Sequence, residues 1–470
     1  MSGLRGARAG RTLLRIHKVC FRPKVAGSAP IVSGEWRCQR RQMRHIRSLT
    51  GRENRVSRSR LLALAPVVGL ALMGATDPPT KTQQFDAKAA WQEFDALVRG
   101  RYGYLERPGV HGDAILRRFT SAAQASKDRS QLIDVLQLVA HNFADPHFIV
   151  GPLNQQDYAI FPTSADMYAE AESGQFRIID VRAGSSANLR GIRPGDRVLM
   201  IDGQSPIAEI ERVMGRSLSE LSPQQINAGL NIALAGIRHK RRQILIGSPN
   251  GDRQFDLAPG NDFADVVAAR EPLTVTRHRG VPVIRVENSL GNNTTIAAFS
   301  RALEQLHGAS QLVIDLRNTP SGGNTTVARG IMGHFIEREH PYQVHVVPGE
   351  EREFGVPRKF VEYVLPIAPH YRGKVVVLGG HWTGSMGEGL MIGFRALGVP
   401  TAGSRLAHLL GALFNEELEQ SGAKVDLGEE QLFDTHGHPR EAFIPDIHYE
   451  REEASEGHDP LLDRAIDSIR

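Results

Sequence analysis

A serine that could act as a nucleophile lies in the segment TGSMGE, residues 383–388. It follows KVVVLGG, an apolar run typical of a buried strand, and it opens the helical pattern SMGEGLMIGFRALG. A hydroxyl at a strand-to-helix turn stands clear of the sheet, and the positive end of the helix stabilises negative charge beside it. Ser385 therefore suits a nucleophile that forms an acyl-enzyme. The same letters also fit an ordinary N-cap serine whose capping box is closed by Glu388.

A glycine-rich loop follows another apolar strand, in LVIDLRNTPSGGN at residues 312–324. Glycine leaves the main chain unhindered, so an N–H group of Gly322 or Gly323 can point at a developing oxyanion. An ordinary β–α turn is the alternative, because a Gly-Gly pair alone is common in loops. We expect Asp315 and Arg317 to brace this loop rather than to take part in the chemistry.

The net charge of the 470-residue chain, +5, belongs to its first residues and not to the rest. Residues 1–60 hold 16 Lys and Arg and only two acids, Glu35 and Glu53, which leaves 41 basic and 50 acidic residues in the remainder. A nucleic-acid-binding face needs Lys and Arg clustered within a folded domain. The remainder has no such cluster, so we expect no nucleic-acid partner.

The leader, residues 1–75, carries the pattern of an export signal. An uncharged apolar run, LLALAPVVGLALMGA at 61–75, follows the basic stretch VSRSR. The run is short for a membrane span but fits the apolar core of a signal peptide. We expect cleavage near residue 75 and an exported protein, periplasmic or secreted. An uncleaved anchor, which would associate with the membrane through residues 61–75, and an organelle transit peptide are the alternatives.

Cysteine occurs only in the leader, at Cys20 and Cys38. The rest of the chain therefore offers neither thiol catalysis nor a thiolate metal site. In DTHGHP, His436 and His438 form an H-x-H pair with no further residue at ligand spacing. We expect no metal and no cofactor.

Three regions follow a linker at 76–84. Apolar residues at helical spacing predict a cap of helices over 85–155, with Asp128 or Ser130 as the N-cap of its second helix. Short strand-like runs such as FRIIDV and DRVLMIDG predict a separate module over 156–262. Strands and helices then alternate over 270–452, the catalytic domain, which predicts a parallel or mixed α/β sheet. A C-terminal helix or tail occupies 453–470.

These regions resemble known proteins in two respects. The module is similar to a PDZ domain of the bacterial processing-protease type, in Gly184, Ser186, Ala187, Gly191, Pro194–Gly195–Asp196 and Ile201–Asp202–Gly203. The whole resembles serine peptidases of the C-terminal-processing and tricorn type, whose motifs match DPHF at 145–148, LVIDLRNTPSGGN, TGSMGE and PDI at 445–447 in the same order. The resemblance implies an α/β (α+β multi-domain) fold: a crotonase-like catalytic domain with an N-terminal helical cap and an inserted PDZ-like domain.

The resemblance also bears on the general base. Members with a Ser–Lys dyad carry a lysine after the nucleophile, but the matching stretch here, TAGSRLAHLLGAL, has none. Tricorn-type relatives use a histidine ahead of the PDZ insertion, which implies His147. A neutral imidazole can accept the serine proton, so kcat/KM should fall as pH drops through a pKa of roughly 6–7. His381 and His408, close to the nucleophile in sequence, are the reserve candidates.

The remaining roles come from the same resemblance. It implies that Met386, after the nucleophile, supplies the second oxyanion donor, and that Glu441 or Glu388 orients the base. The function expected is hydrolysis of peptide bonds in protein or peptide substrates through an acyl-serine. The PDZ-like module would bind substrate C-termini by strand addition, although the stretch before its first strand has no clear glycine-containing carboxylate loop.

Two other functions fit parts of the sequence. Without the lysine, the fold could serve as a non-catalytic peptide- or ligand-binding protein. An α/β-hydrolase esterase would use Ser385, Asp426 and His448 in the required chain order. Against the esterase, T-G-S-M-G lacks the first glycine of the nucleophile elbow.

Overall fold

The computed structural model describes residues 85–449 and 459–470. The leader, including the apolar run at 61–75, lies outside these ranges. Within them, no helix is both long enough and apolar enough to cross a membrane.

The cap is built from three helices with short strands around them. Its elements are α1 (Ala87–Arg101), β1 (Glu106–Arg107), β2 (Val110–His111), α2 (Gly112–Gln124), α3 (Arg129–Asn142) and β3 (Ile149–Gly151). Of the two N-cap candidates for α3, the structure selects Asp128, whose carboxylate accepts the Gln131 N–H at 3.0 Å. Trp91, Phe94 and Leu136 belong to the apolar core of the cap.

The module contains a five-stranded antiparallel sheet in the order β4-β5-β6-β7-β8. Its elements are β4 (Met167–Glu172), β5 (Gln175–Val181), α4 (Ser186–Leu189), β6 (Arg197–Ile201), α5 (Pro206–Met214), α6 (Pro223–Ala235), β7 (Arg242–Ser248) and β8 (Gly251–Leu257). A full capping box, Ser222 with Gln225, starts α6. The helix α7 (Gly260–Ala268) then leads out of the module.

The catalytic domain is mixed α/β, as the sequence predicts. Its elements are β9 (Leu273–His278), β10 (Val281–Val286), α8 (Thr294–Gln305), β11 (Gln311–Asp315), α9 (Thr325–Met332), β12 (His340–Val346), α10 (Pro348–Phe354), β13 (Lys359–Val364), β14 (Lys374–Gly379), α11 (Met386–Ala396), β15 (Thr401–Gly403), β16 (Ala412–Glu417), β17 (Lys424–Phe433) and β18 (Ile447–His448), followed by α12 (Pro460–Asp467).

These strands form two sheets. The first has the order β18-β15-β14-β11-β10-β9, parallel except for β9. Its central strands are apolar on both faces because helices cover both: Ile314 packs in the core with α8, α9 and α11, while Val313 packs against α12. The second sheet, β13-β12-β17-β16, is antiparallel, and β3 of the cap pairs with β17. The cap and the catalytic domain therefore share a sheet.

Candidate active site

Ser385 lies where the first sheet turns into a helix. It follows the loop after β14 and is the N-cap of α11, with φ of 51° and ψ of −112°. A positive φ is uncommon for a residue with a side chain and is strained here. A neighbouring threonine fixes the loop: Thr383 Oγ donates to Leu316 O at 3.0 Å and accepts the Gly380 N–H at 2.9 Å. The turn thus presents the hydroxyl at the helix N-terminus, as the sequence pattern indicates.

The glycine loop lies directly against this hydroxyl. A Cβ added to Gly322 would come within 2.2 Å of Ser385 Cβ and 2.7 Å of Ser385 Oγ, so only glycine fits there. The Gly322 N–H itself donates to Thr319 O at 3.3 Å. The N–H groups of Gly323 and Met386, by contrast, form no hydrogen bond with any residue the structure describes. Of the predicted oxyanion donors, these two are the ones free to receive a ligand.

The Glu388 carboxylate binds the main chain of Ser385 and does not orient a histidine side chain. Its Oε2 accepts the Ser385 N–H at 2.8 Å, and the Arg440 guanidinium lies 3.8 Å away. Burial raises the pKa of the Glu388 carboxyl to about 7, against the opposing charge of Arg440. The carboxyl is therefore partly protonated near neutral pH, and it braces the turn that carries Ser385.

His147 lies in the turn between α3 and β3 and is almost fully buried. Its Nδ1 is 2.9 Å from Leu410 O, and since a carbonyl only accepts, Nδ1 carries the proton and Nε2 keeps the lone pair. Asp145 shapes the turn by accepting the His147 N–H at 2.9 Å and the Tyr102 hydroxyl at 2.8 Å. Burial lowers the pKa of His147 although Asp145 opposes the shift, so the ring is neutral at neutral pH.

His147 and Ser385 are not hydrogen-bonded to each other in this structure. In the described part of the chain, Ser385 Oγ forms no hydrogen bond with a histidine, lysine or carboxylate side chain. Catalytic hydrogen bonds are commonly long or misaligned without substrate. The tautomer and charge of His147 suit a base, and a closer approach to Ser385 is required for it to act.

The two reserve histidines have other partners. His381 Nδ1 lies 3.1 Å from Asp180 Oδ2 of β5, and its ring stacks on Tyr168 with centroids 4.5 Å apart. His408 Nδ1 donates to the main-chain oxygen of Glu441 at 2.6 Å. The Glu441 carboxylate, expected as an orienting acid, forms no hydrogen bond with a histidine among the described residues; one of its oxygens is buried without a partner. Its role in orienting His147 falls instead to Leu410 O.

Asp315 and Arg317 brace the glycine loop. Asp315 accepts from Arg285 and Arg317, and Arg317 also bonds Asp459 ahead of α12. Although burial alone would raise the pKa of Asp315, the two guanidinium groups hold it well below the ordinary value. His438 pairs with Asp434 at 2.9 Å, and the described residues contain no group of three His, Cys, Asp or Glu arranged to hold a metal.

The module reaches both loops of the site, which the sequence did not reveal. Trp382 Nε1, in the nucleophile loop, donates to Ala165 O at 3.2 Å. Arg182 Nε, directly after β5, donates to Asn318 Oδ1 of the glycine loop at 2.9 Å. These partners lie more than a hundred residues apart in the chain, and no local pattern marks them.

A cavity of about 420 Å³ lies where the cap, the module and the catalytic domain meet. Asp145 lines it from the cap, Tyr168 and Asn231 from the module, and His408 and Glu441 from the catalytic domain. Ser385 is not among its lining residues. The cavity therefore lies beside the turn of His147 rather than at the nucleophile itself.

Solved structures of other proteins share the fold of this chain. No curated protein matches the chain in sequence. In structure, it is similar to the photosystem II D1 C-terminal processing protease (TM-score 0.50, 14% identity, covering 77% of this chain and 93% of that one). It is similar also to mature CPAF complexed with lactacystin (TM-score 0.51, 14% identity, covering 77% and 93%). At this identity, both likenesses show a shared fold.

One protein family matches part of this sequence. Residues 281–448, from β10 to β18, match peptidase family S41. The resemblance to C-terminal-processing and tricorn-type enzymes is thereby confirmed, and the α/β-hydrolase alternative is wrong, because the matched family is one of peptidases. The part of the chain from β10 to β18 is therefore similar to peptidase family S41, and the chain is a serine-type peptidase.

Proposed function

We propose that this peptidase hydrolyses peptide bonds through an acyl intermediate on Ser385, with His147 as general base and no metal. The observation that carries the proposal is the setting of Ser385. A strained serine at a helix N-terminus lies against a glycine that no other residue could replace without a clash. Strain of this kind persists only where the surrounding structure holds it, and it concentrates at functional sites.

In the proposed mechanism, Nε2 of His147 accepts the proton of Ser385 Oγ as the oxygen attacks the substrate carbonyl. The free N–H groups of Gly323 and Met386 donate to the oxyanion, and the N-terminus of α11 adds a favourable field. His147 then returns the proton to the leaving amine. Water, deprotonated by the same nitrogen, attacks the acyl-serine and releases the second product.

An active-site-directed fluorophosphonate tests the nucleophile. We expect labelling of the full chain at Ser385, located by peptide mapping, and no labelling of Ser385→Ala. Ser404→Ala is the matched control, because Ser404 is a buried serine of the same domain that contacts His381 instead. Absence of label in the folded wild-type protein would support the non-catalytic binding protein as the alternative.

We propose further that the protein is exported. The basic stretch and the apolar run at 61–75 support this, and both lie outside the described residues. N-terminal sequencing of the protein purified from its host should give a start near residue 76. A cytosolic chain that begins before residue 60 would contradict export, and a membrane-bound chain that retains residues 61–75 would indicate an anchor.

A further inference from the structure

The edge of the module sheet is where a peptide would add as a strand. β4 pairs with β5 on one side only, so alternate main-chain groups of β4 face away from the sheet. The helix α6 runs along this free edge. Strand addition requires an open row of N–H and C=O groups, with space for an extended chain beside them.

Side chains of α6 already occupy these outward-facing groups of β4. Asn231 of α6 accepts the Ala169 N–H through Oδ1 at 2.9 Å and donates from Nδ2 to Ala169 O at 2.8 Å. One turn earlier, Asn227 Oδ1 accepts the Ala171 N–H at 2.9 Å. A carboxamide carries the same donor and acceptor as a peptide group. Asn231 therefore makes with Ala169 the pair of bonds that an added strand would make.

The spacing of the two elements makes this possible. Residues four apart on a helix are separated by about 6 Å along its axis, and residues two apart on a strand by about 6.6 Å. Asn227 and Asn231 are therefore in register with Ala171 and Ala169, with the helix and strand antiparallel. Because the asparagines reach β4 directly, α6 lies too close to leave the roughly 4.8 Å that another strand occupies.

The entrance to β4 is also unsuited to a carboxylate. Asp166, the residue before the strand, is buried and forms an ion pair with Arg242 at 2.9 Å. The guanidinium of Arg242 is thus already occupied by an internal carboxylate, and it also donates to the carbonyl of Ala258. A substrate C-terminus placed at this entrance would meet the negative charge of Asp166 with its neighbouring cation already engaged.

We propose that the module does not bind substrate C-termini: Asn227 and Asn231 fill its recognition edge as a built-in strand mimic. The peptidase then acts on internal segments of its substrates, independently of a free C-terminal carboxylate. The same asparagines line the cavity beside the His147 turn, so α6 and β4 serve as a fixed wall of that cavity. This inference rests on the proposed peptidase function for its substrate class, but the closed edge can be measured without activity.

The first test uses two casein-derived peptides of one sequence, ending in a carboxylate or an amide, with the cleaved bond well inside. We expect kcat/KM values within about twofold of each other. A preference of tenfold or more for the carboxylate, which is 1.4 kcal/mol, would overturn the inference. If the wild-type protein cleaves neither peptide, the proposed function fails, and the second test decides the inference alone.

The second test is hydrogen exchange at the amides of Ala169 and Ala171 in the full chain. We expect both to be protected without peptide, and Asn227→Ala/Asn231→Ala to raise their exchange by at least about fivefold, the factor for a hydrogen bond of ordinary strength. Asn188→Ala is the control, since Asn188 bonds Gly184 N in the same module, away from the edge. Rapid exchange in wild type that slows only when the carboxylate peptide is added would overturn the proposal.

Discussion

The conformation of Ser385 costs free energy that its neighbours must offset. A non-glycine residue at φ of 51° is strained by roughly 1–3 kcal/mol. Three groups hold it: Thr383 bonds across to Leu316 O, the Gly384 N–H donates to Thr319 O, and Glu388 accepts the Ser385 N–H. The nucleophile loop and the glycine loop are thus tied together, so their relative position is set before substrate arrives.

Gly322→Ala should abolish activity while leaving the fold intact. The new methyl group would press on Ser385 Cβ and Oγ, and these atoms belong to a held turn that cannot retreat. Gly308→Ala is the matched control: Gly308 also has a positive φ, of 87°, but no atom of the described residues lies within 4 Å of its Cβ position. Both variants carry the backbone strain, so turnover of a peptide substrate should separate them. Activity retained in Gly322→Ala would show that this glycine does not border the reacting atoms.

His147→Ala should lower kcat/KM by about 10²–10⁴-fold, the usual loss for a general base. A protonated ring cannot accept the serine proton, so activity falls as pH drops through the pKa of His147. Because burial lowers that pKa, the acid limb should lie below the ordinary histidine value of 6.5. The measurement is kcat/KM against pH for the wild type.

Glu388 complicates that profile, since its pKa is raised to about 7. The acid limb is therefore best read in Glu388→Gln, where this carboxyl no longer titrates. His111→Ala, an exposed histidine of the cap, is the activity control. Full activity in His147→Ala would contradict the assignment and point to His408 or His381.

At the scale of elements, the sequence pattern predicted those strands and helices that depend mainly on neighbouring residues. The runs KVVVLGG and LVIDL are strands, and the helices begin at capping residues such as Asp128 and Ser222. The second sheet of the catalytic domain was not predicted, because β13 and β16 are exposed or half-buried over most of their length and because the sheet depends on the pairing of β12 with β17, far along the chain. The partner of His147 was missed for the same reason: Leu410 lies 263 residues away.

The buried ion pair that joins β7 to the start of β4 should be important for stability. Arg242→Met removes the partner of Asp166, both being almost inaccessible, and leaves an unpaired charge inside the module. The expected loss in the free energy of unfolding is about 3–5 kcal/mol. Arg241→Met is the matched control on the adjacent residue, whose pair with Asp256 is exposed and should contribute little. Denaturant unfolding measures both; equal midpoints for the two variants would refute this account.

At the scale of the whole molecule, the catalytic domain depends on segments far apart in the chain. The cap contributes β3 to the second sheet, and α12 covers one face of the first. The module lies between the cap and the catalytic domain in sequence. It contacts the nucleophile loop through Trp382 and the glycine loop through Arg182. The order of motifs sufficed to predict the family, but these contacts depend on tertiary structure.

Arg182 should act as a positioning residue whose removal separates activity from stability. Its guanidinium is buried, one of its nitrogens has no hydrogen-bond partner among the described residues, and burial lowers its pKa to about 10. Arg182 forms no ion pair with a described residue, so Arg182→Met leaves no buried charge without its partner, but Thr163 O and Asn318 Oδ1 each lose a donor. Arg182→Met should therefore still fold, with a loss in the free energy of unfolding of about 1–3 kcal/mol. It also removes the bond to Asn318, which leaves the glycine loop tied to the module by the longer bond from Ser321 Oγ to Thr163 Oγ1, at 3.4 Å. The rate of fluorophosphonate labelling at Ser385 should then fall by tenfold or more, while Arg193→Met, an exposed arginine of the same module, keeps the wild-type rate. An Arg182→Met protein that labels at the wild-type rate would show that the glycine loop keeps its position without the module.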